Sequence, residues 1–317
     1  EQIAYALDKG VNFIDTAEMY AVPPSPDTYG KTEEIIGNWL ARNKNKRDNL
    51  VIATKIAGNG LSWVRDGGDI TRQAVIDAVD ASLKRLQTDV IDLYQLHWPN
   101  RTSPHFGKQW PGIVRFSDAD TEQNIAGMLD ILEGLNDCVK AGKIKHCGLS
   151  DDTPWGISQY LRLSEQHNLP RMVSIQNEFS LLHAKDWPYL IEQCIHEDVA
   201  YLPWSPLGGG MLSGKYLNGN RPEGSRWTLV QRNGLFRDTV QSQQAIANYV
   251  DIAKTYSVTP AQLALAWCNQ VDGVCSTIIG ATSMSQLQDN IAAFSIELSE
   301  QAITDINNVF KQYPQPF

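Results

Sequence analysis

The sequence predicts an α/β protein built as a (β/α)8 TIM barrel, with its N-terminal strand missing and an extra helix at its C-terminal end. Three observations lead to this fold class. Short apolar segments alternate with amphipathic ones along the whole chain, the apolar segments are continuous enough to be buried on both faces, and polar side chains stand where several of them end. Because no break in composition interrupts this alternation, residues 1–317 are predicted to form a single domain.

The strands are predicted from short apolar runs that are closed by polar residues, glycine or proline. In chain order they cover residues 12–14, 50–54, 90–96, 144–149, 172–175, 199–202 and 274–279. The chain begins inside a helical pattern, so we expect it to lack the N-terminal strand of the barrel. With that strand the seven predicted strands would become eight. A doubly wound sheet is the alternative fold, but no G-x-G-x-x-G follows a strand to support it.

The helices are predicted from apolar residues that recur every three to four positions, and from the residues that start and stop them. Thr71 is a candidate N-cap, Pro260 stands in a first turn, and Ser299 opens a weak capping box. The predicted helices lie near residues 3–7, 31–40, 71–86, 121–141, 157–163, 187–195, 241–256, 260–269, 284–291 and 299–310. The intervening segments 57–68, 100–120 and 211–237 are candidate substrate loops.

The composition narrows the function classes. A net charge of −9 and a pI of about 5.2 disfavour partners such as nucleic acid or a membrane surface. The five cysteines form no C-x-x-C pair, which is typical of reduced thiols in a cytoplasmic protein. A metal-dependent hydrolase is disfavoured as well, because the strand ends do not gather histidine and carboxylate ligands. The oligomeric state stays open.

Four polar side chains come from three predicted strand ends and one adjoining loop: Asp15, Tyr20, Lys55 and His97. An ammonium beside a phenol stabilises the phenolate and so lowers the phenol pKa, and a carboxylate can hold that ammonium in place. Together with a neutral histidine, this set can protonate a developing alkoxide. Taken singly, each residue has a structural explanation: a cap, a half-buried aromatic, an ion-pair partner or a packed histidine.

The segments 13–20, 53–55 and 92–99, which carry these four residues, resemble the catalytic tetrad motifs of the aldo-keto reductases. Within that superfamily the chain is most similar to the bacterial Tas-type reductases, akin to the potassium-channel β-subunit branch. The resemblance implies reduction of an aldehyde or ketone by NADPH. In that reaction Tyr20 would be the general acid, Lys55 its pKa modulator, Asp15 the partner of Lys55, and His97 the group that orients the carbonyl.

The resemblance also implies an NADP(H) site. Three residues would hold the nicotinamide amide, one tryptophan would stack on its ring, a glycine-rich turn and a lysine would cradle the pyrophosphate, and a last group would hold the adenosine end. In the same order these are Ser150, Asp151 and Gln176; Trp204; Ser205, Pro206, Leu207, Gly208, Gly210 and Lys215; Arg226, Gly280, Thr282, Gln286 and Asn290. Asp151 departs from the asparagine or arginine usual at its position.

A second function class fits the same residues. The channel β-subunit resemblance allows a regulatory subunit that binds NADP(H) as a redox sensor and turns over little. The candidate pocket walls are the aromatic residues of the long loops and of one strand end, namely Trp63, Trp98, Phe106, Trp110 and Trp227. If the protein is an enzyme, these side chains are expected to select among small carbonyl substrates. The alternative for each is an aromatic side chain that serves only packing.

Overall fold

The computed structural model describes residues 1–228 and 235–317. It contains a six-stranded parallel sheet in the order β1-β2-β3-β4-β5-β6. The strands are β1 (Phe13–Asp15), β2 (Val51–Ile56), β3 (Ile91–Leu96), β4 (Ile144–Ser150), β5 (Met172–Glu178) and β6 (Ala200–Trp204). This α/β architecture confirms the predicted fold class and is consistent with part of a (β/α)8 barrel.

The first six helices alternate with these strands, and the last four follow β6. They are α1 (Gln2–Asp8), α2 (Lys31–Arg42), α3 (Arg72–Leu86), α4 (Thr121–Lys140), α5 (Pro154–His167), α6 (Tyr189–His196), α7 (Val240–Thr255), α8 (Pro260–Asn269), α9 (Met284–Ala292) and α10 (Glu300–Gln312). The predicted caps form: Thr71 accepts a hydrogen bond from the N–H of Ala74, and Ser299 from that of Ala302. No helix in the described ranges is both long and apolar enough to cross a bilayer.

The chain divides into two compact units. The first to be described, Asn12–Gln176, contains β1 to β4, most of β5, and helices α2 to α5. Every residue of β3 is buried, as expected for a central strand with neighbours on both sides. The adjacent helices α2, α3, α4 and α5 pack against one another in sequence order. Their apolar faces and the strands form the core of this unit.

The second unit combines Glu1–Val11 with Asn177–Phe317. Helix α7 packs against α8 and α10, and α9 packs against α1 and α8. Phe179, Tyr201 and Trp267 are buried together, with Phe179 stacked on Trp267 at a centroid distance of 5.4 Å and edge-on to Tyr201 at 5.6 Å. The prediction of a single domain over residues 1–317 stays a prediction.

The prediction of a strand over residues 274–279 is wrong, because the segment does not form a regular strand. Val274 makes only an isolated parallel bridge with Tyr201, although Cys275 donates its N–H to the carbonyl of Tyr201 at 3.0 Å and Ile278 donates to that of Pro203 at 2.8 Å. A regular ladder would need Pro203 to donate an N–H in return, and proline has none. The segment therefore runs beside β6 without forming a strand.

Residues 229–234 of the predicted loop 211–237 lie outside the described residues.

Candidate active site

Asp15 and Lys55 form a buried ion pair at the carboxyl ends of β1 and β2. The Lys55 Nζ atom lies 2.5 Å from Asp15 Oδ2 and donates a second hydrogen bond to the carbonyl of Thr16 at 2.8 Å. The Lys55 side chain has no exposed surface, and that of Asp15 is 7% exposed. Two charges removed from water to this degree depend on each other, because either one alone would be strongly destabilising.

Tyr20 stands beside this pair. Its half-buried ring lies with its centroid 5.4 Å from Lys55 Nζ and 5.5 Å from the centroid of the His97 ring, which it meets edge-on. A fixed ammonium at this distance favours the ionised form of a phenol over its neutral form. Lys55 therefore contacts both the carboxylate of Asp15 and the ring of Tyr20. The structure brings the four predicted tetrad residues together in one unit.

His97 follows β3 and is held by a main-chain hydrogen bond from its N–H to the carbonyl of Ile56 at 2.9 Å. Burial, and then the positive charge of Lys55, lower the pKa of His97 well below its ordinary value. The imidazole is therefore neutral at physiological pH. Its Nδ1 atom has no hydrogen-bond partner among the described residues, which leaves a buried polar atom available to a ligand.

Two glutamines complete the surroundings of Asp15. Gln176 donates to Asp15 Oδ1 at 2.9 Å and Gln95 donates to the same oxygen at 3.2 Å, so Lys55 has the other oxygen. The structure thus places the Gln176 amide on Asp15, and its predicted contact with nicotinamide stays a prediction. Gln95 was not among the predicted site residues. Its signal is a polar residue in a fully buried strand, two positions before His97.

Glu18 is a second residue that the sequence analysis missed. Its carboxylate is fully buried, and it accepts hydrogen bonds from the Ala57 N–H at 2.7 Å and the Tyr29 hydroxyl at 2.8 Å while it pairs with Arg65 at 2.8 Å. Its main-chain N–H donates to the carbonyl of Lys55 at 3.1 Å. Burial and the Glu18 charge raise the pKa of Tyr29 to about 12. Glu18 therefore fixes the segment before Tyr20 to the end of β2.

The end of β4 presents Ser150 and Asp151, both of them buried. Asp151 has a positive φ of 50°, and its N–H donates to the carbonyl of Gln176 at 3.1 Å. Its carboxylate oxygen lies 3.6 Å from His105 Nδ1. These predicted nicotinamide contacts lie in the same unit as the tetrad. Asp151 has a carboxylate at the position where the resemblance implies asparagine or arginine, and His105 from the loop 100–120 lies beside it.

The glycine-rich turn lies in the other unit, directly after β6. Ser205, Gly208, Gly209 and Gly210 all have positive φ, at 53°, 55°, 69° and 95°, respectively. A Cβ atom at Gly210 would lie 3.5 Å from Lys215 Nζ, and one at Gly209 would lie 3.9 Å from Arg226 Nη1. Two cations therefore lie beside the turn, and Gly208, Gly209 and Gly210 present main chain without side chains to an approaching anion. Pro206 and Leu207 lie within it, and Trp204 ends β6.

The four remaining predicted cofactor residues lie before and within α9, with Gly280 and Thr282 ahead of the helix and Asn290 in its last turn. The N–H and the hydroxyl of Thr282 both donate to Gln286 Oε1 at 3.0 Å, and Asn290 donates to the carbonyl of Gly280 at 3.3 Å. Thr282, Gln286 and Gly280 are exposed, whereas Asn290 is buried. The helix begins behind Ser283, whose hydroxyl accepts a hydrogen bond from the Gln286 N–H. Exposed hydroxyls at a helix N-terminus suit a phosphate group.

The predicted pocket walls fall into two groups. Trp227 stacks on Tyr216 at 4.2 Å, and Trp98 donates its indole N–H to the carbonyl of Asn59 at 3.1 Å, so both are held in place. Trp63, Phe106 and Trp110 are exposed.

No cluster of histidine, cysteine and carboxylate side chains suited to a metal ion occurs within residues 1–228 and 235–317.

Comparisons with known proteins agree over the length of the chain. Residues 1–311 match the family described as the aldo/keto reductase family. The chain is 43% identical to Protein tas of Escherichia coli K12, over 99% of this chain and 90% of that protein. It is 32% identical to an aldo-keto reductase of Babesia bovis, over 84% of this chain and 98% of that protein. It is 29% identical to the uncharacterized oxidoreductase YrpG of Bacillus subtilis, over 96% of this chain and 84% of that protein.

Proposed function

The chain belongs to the aldo/keto reductase family, and we propose that it reduces aldehydes or ketones to alcohols with NADPH. Family membership and the oxidoreductase relatives indicate a redox enzyme, and they confirm the resemblance drawn from the motifs. The observation that carries the finer proposal is the position of Lys55, in contact with both Asp15 and Tyr20. The proposed partner is a small carbonyl compound, and the proposed location is the cytoplasm.

The chain's own residues fit a nicotinamide cofactor, the kind that this family generally uses. Gly208 to Gly210 leave room for a pyrophosphate, and Lys215 and Arg226 supply positive charge in a protein of net charge −9. The exposed Thr282 and the N–H groups at the start of α9 suit the 2′-phosphate that distinguishes NADPH from NADH. Ser150 and Asp151 would hold the nicotinamide amide, and Trp204 would stack on its ring.

When bound, the cofactor supplies the hydride that adds to the carbonyl carbon. The protein supplies the proton: Tyr20 donates its phenolic hydrogen to the carbonyl oxygen, and the alcohol forms as the C–H and O–H bonds are made. The Lys55 ammonium stabilises the phenolate left on Tyr20, which then takes a proton from water. Asp15 keeps Lys55 in position, and the two glutamine amides occupy its other oxygen.

His97 has a different task from Tyr20. Because its pKa lies well below its ordinary value, it is neutral and does not compete as the acid. A neutral imidazole can donate its one N–H to the carbonyl oxygen and so orient the substrate and polarise it. The rings of His97 and Tyr20 are neighbours, edge-on at a centroid distance of 5.5 Å, which supports the proposal that both side chains act on one substrate.

To test the proposal, the purified protein is mixed with NADPH and each member of a broad panel of aldehydes and ketones, and the loss of NADPH absorbance is followed. We expect turnover with NADPH for members of the panel, and a Kd for NADPH at least about tenfold lower than that for NADH. Tight NADPH binding without oxidation across the panel would contradict the enzyme proposal and would favour the regulatory subunit. Equal affinity for NADH would contradict the assignment of Thr282 and α9 to the 2′-phosphate.

A further inference from the structure

A buried ion pair fastens the loop 100–120 to the turn after β4. Arg101, the second residue of the loop, donates through Nη2 to Asp152 Oδ1 and through Nη1 to Asp152 Oδ2 at 3.3 Å. Its Nη2 also reaches the Thr153 hydroxyl at 3.1 Å. The Asp152 side chain is 2% exposed and that of Arg101 is 11% exposed. A fork-to-carboxylate pair at this depth fixes both orientation and distance.

The neighbouring helix leaves room for this pair. Gly156, in the first turn of α5, has no Cβ, and a Cβ built there would overlap both Asp152 Oδ1 and Arg101 Nη2. The guanidinium also lies over the ring of Trp155, with Arg101 Cζ 5.1 Å from its centroid. Any side chain at Gly156 must therefore displace the ion pair, even though both charged residues stay in the sequence.

His105 makes a second connection between the same two segments. Its Nε2 atom lies 3.3 Å from the carbonyl oxygen of Asp152, and its Nδ1 atom lies 3.6 Å from the carboxylate of Asp151. Asp151 is held separately, through the hydrogen bond from its N–H to Gln176. The loop is thus tied to a turn whose own main chain is anchored on β5.

We propose that Arg101 and Asp152 are positioning residues that hold the loop 100–120 in place to bind the carbonyl substrate, an inference that rests on the proposed function. The loop begins three residues after His97, so its path sets what surrounds the orienting imidazole. It carries the exposed side chains of Phe106, Trp110, Ile113 and Phe116. Because the start of the loop is fixed, these apolar groups have less conformational freedom to lose when an apolar carbonyl compound binds.

Substituting Gly156→Ala tests this inference, with Gly127→Ala as the matched control. Both glycines lie in helices, but a Cβ at Gly127 meets nothing within 4 Å. We expect Gly156→Ala to raise the KM for the best carbonyl substrate roughly tenfold or more, to change kcat by less than about threefold, and to leave the Kd for NADPH within about twofold. Amide exchange in residues 101–110 should become faster. The Gly127→Ala variant should behave as the unmodified protein.

Arg101→Lys and Arg101→Ala provide the second test if Gly156→Ala folds poorly. Lysine keeps the charge but lacks the planar fork, so its KM should lie between those of the unmodified protein and Arg101→Ala. A KM unchanged in Gly156→Ala and Arg101→Ala would overturn the inference. A kcat that falls in proportion to the loss of thermal stability, with no rise in KM, would also overturn the inference. If the unmodified protein has no carbonyl reductase activity, the proposed function and the substrate role both fail, while faster exchange in the variants still reports that the ion pair holds the loop.

Discussion

The Lys55 ammonium lies 2.5 Å from Oδ2 of Asp15, and the Lys55 side chain has no surface exposed to water. Asp15 is in turn surrounded by the amides of Gln95 and Gln176. The pair is therefore a buried charge network with few ways to relax if one member is lost. Lys55 Nζ also lies 5.4 Å from the centre of the Tyr20 ring, so the proposed proton donor stands beside this network.

Replacing Lys55 with methionine should damage both stability and turnover. The substitution keeps the volume of the side chain but leaves the Asp15 carboxylate buried without its cation, which costs about 3–5 kcal/mol of unfolding free energy. Urea unfolding measures this loss. The double substitution Lys55→Met with Asp15→Asn removes both charges, so it should recover much of the stability while turnover stays low. Equal stability of the single and double variants would contradict the coupling.

Replacing Glu18 with glutamine should loosen the segment that carries Tyr20. Glutamine can still accept the Ala57 hydrogen bond, but Arg65 loses its counter-charge at a buried site, and we expect a loss of about 2–4 kcal/mol in urea unfolding. The exposed pair Arg72 and Glu133 offers the control, because Glu133→Gln should change stability little. The kcat should fall in Glu18→Gln while the Kd for NADPH is retained. An unchanged kcat would contradict a positioning role for Glu18.

His97 should make stability depend on pH in acid. Its folded pKa lies below its unfolded value of about 6.5, so below that pH the unfolded chain binds a proton that the folded chain does not. Unfolding free energy is thus retained above about pH 6.5 and lost as the pH falls towards the folded pKa, by up to about 1.4 kcal/mol per pH unit.

The measurement for His97 is a difference between the unmodified protein and His97→Gln at each pH. The difference is needed because other groups titrate nearby in pH, among them Asp186, whose pKa burial raises to about 6. The loss below about pH 6.5 should be smaller in His97→Gln. Parallel stability curves for the two proteins would show that His97 is not held neutral by the fold.

The sequence was sufficient for the parts of the fold and site that local patterns encode. Apolar runs located the six strands, and the residues at their ends included Asp15, Lys55 and His97. The regularity of 274–279 could not be predicted, because it depends on whether a neighbour, Pro203, can donate a hydrogen bond.

The supporting residues were hidden for a related reason. Glu18 and Gln95 act through partners that are distant in the chain, at Arg65 and Asp15, and no local spacing marks such contacts. The same holds for the ion pair of Arg101 with Asp152, which depends on the absent side chain of Gly156. Motifs indicated the residues to which we assign the chemistry, whereas the groups that hold those residues in place could be identified only from the structure.

In the proposed reaction Tyr20 delivers the proton while a nicotinamide cofactor delivers the hydride. Single-turnover oxidation of bound NADPH in the Tyr20→Phe variant tests it most directly, with the Kd for NADPH measured in the same preparation. We expect the rate to fall by about 10²- to 10⁴-fold while the Kd stays within about twofold. An undiminished rate with NADPH bound would contradict it.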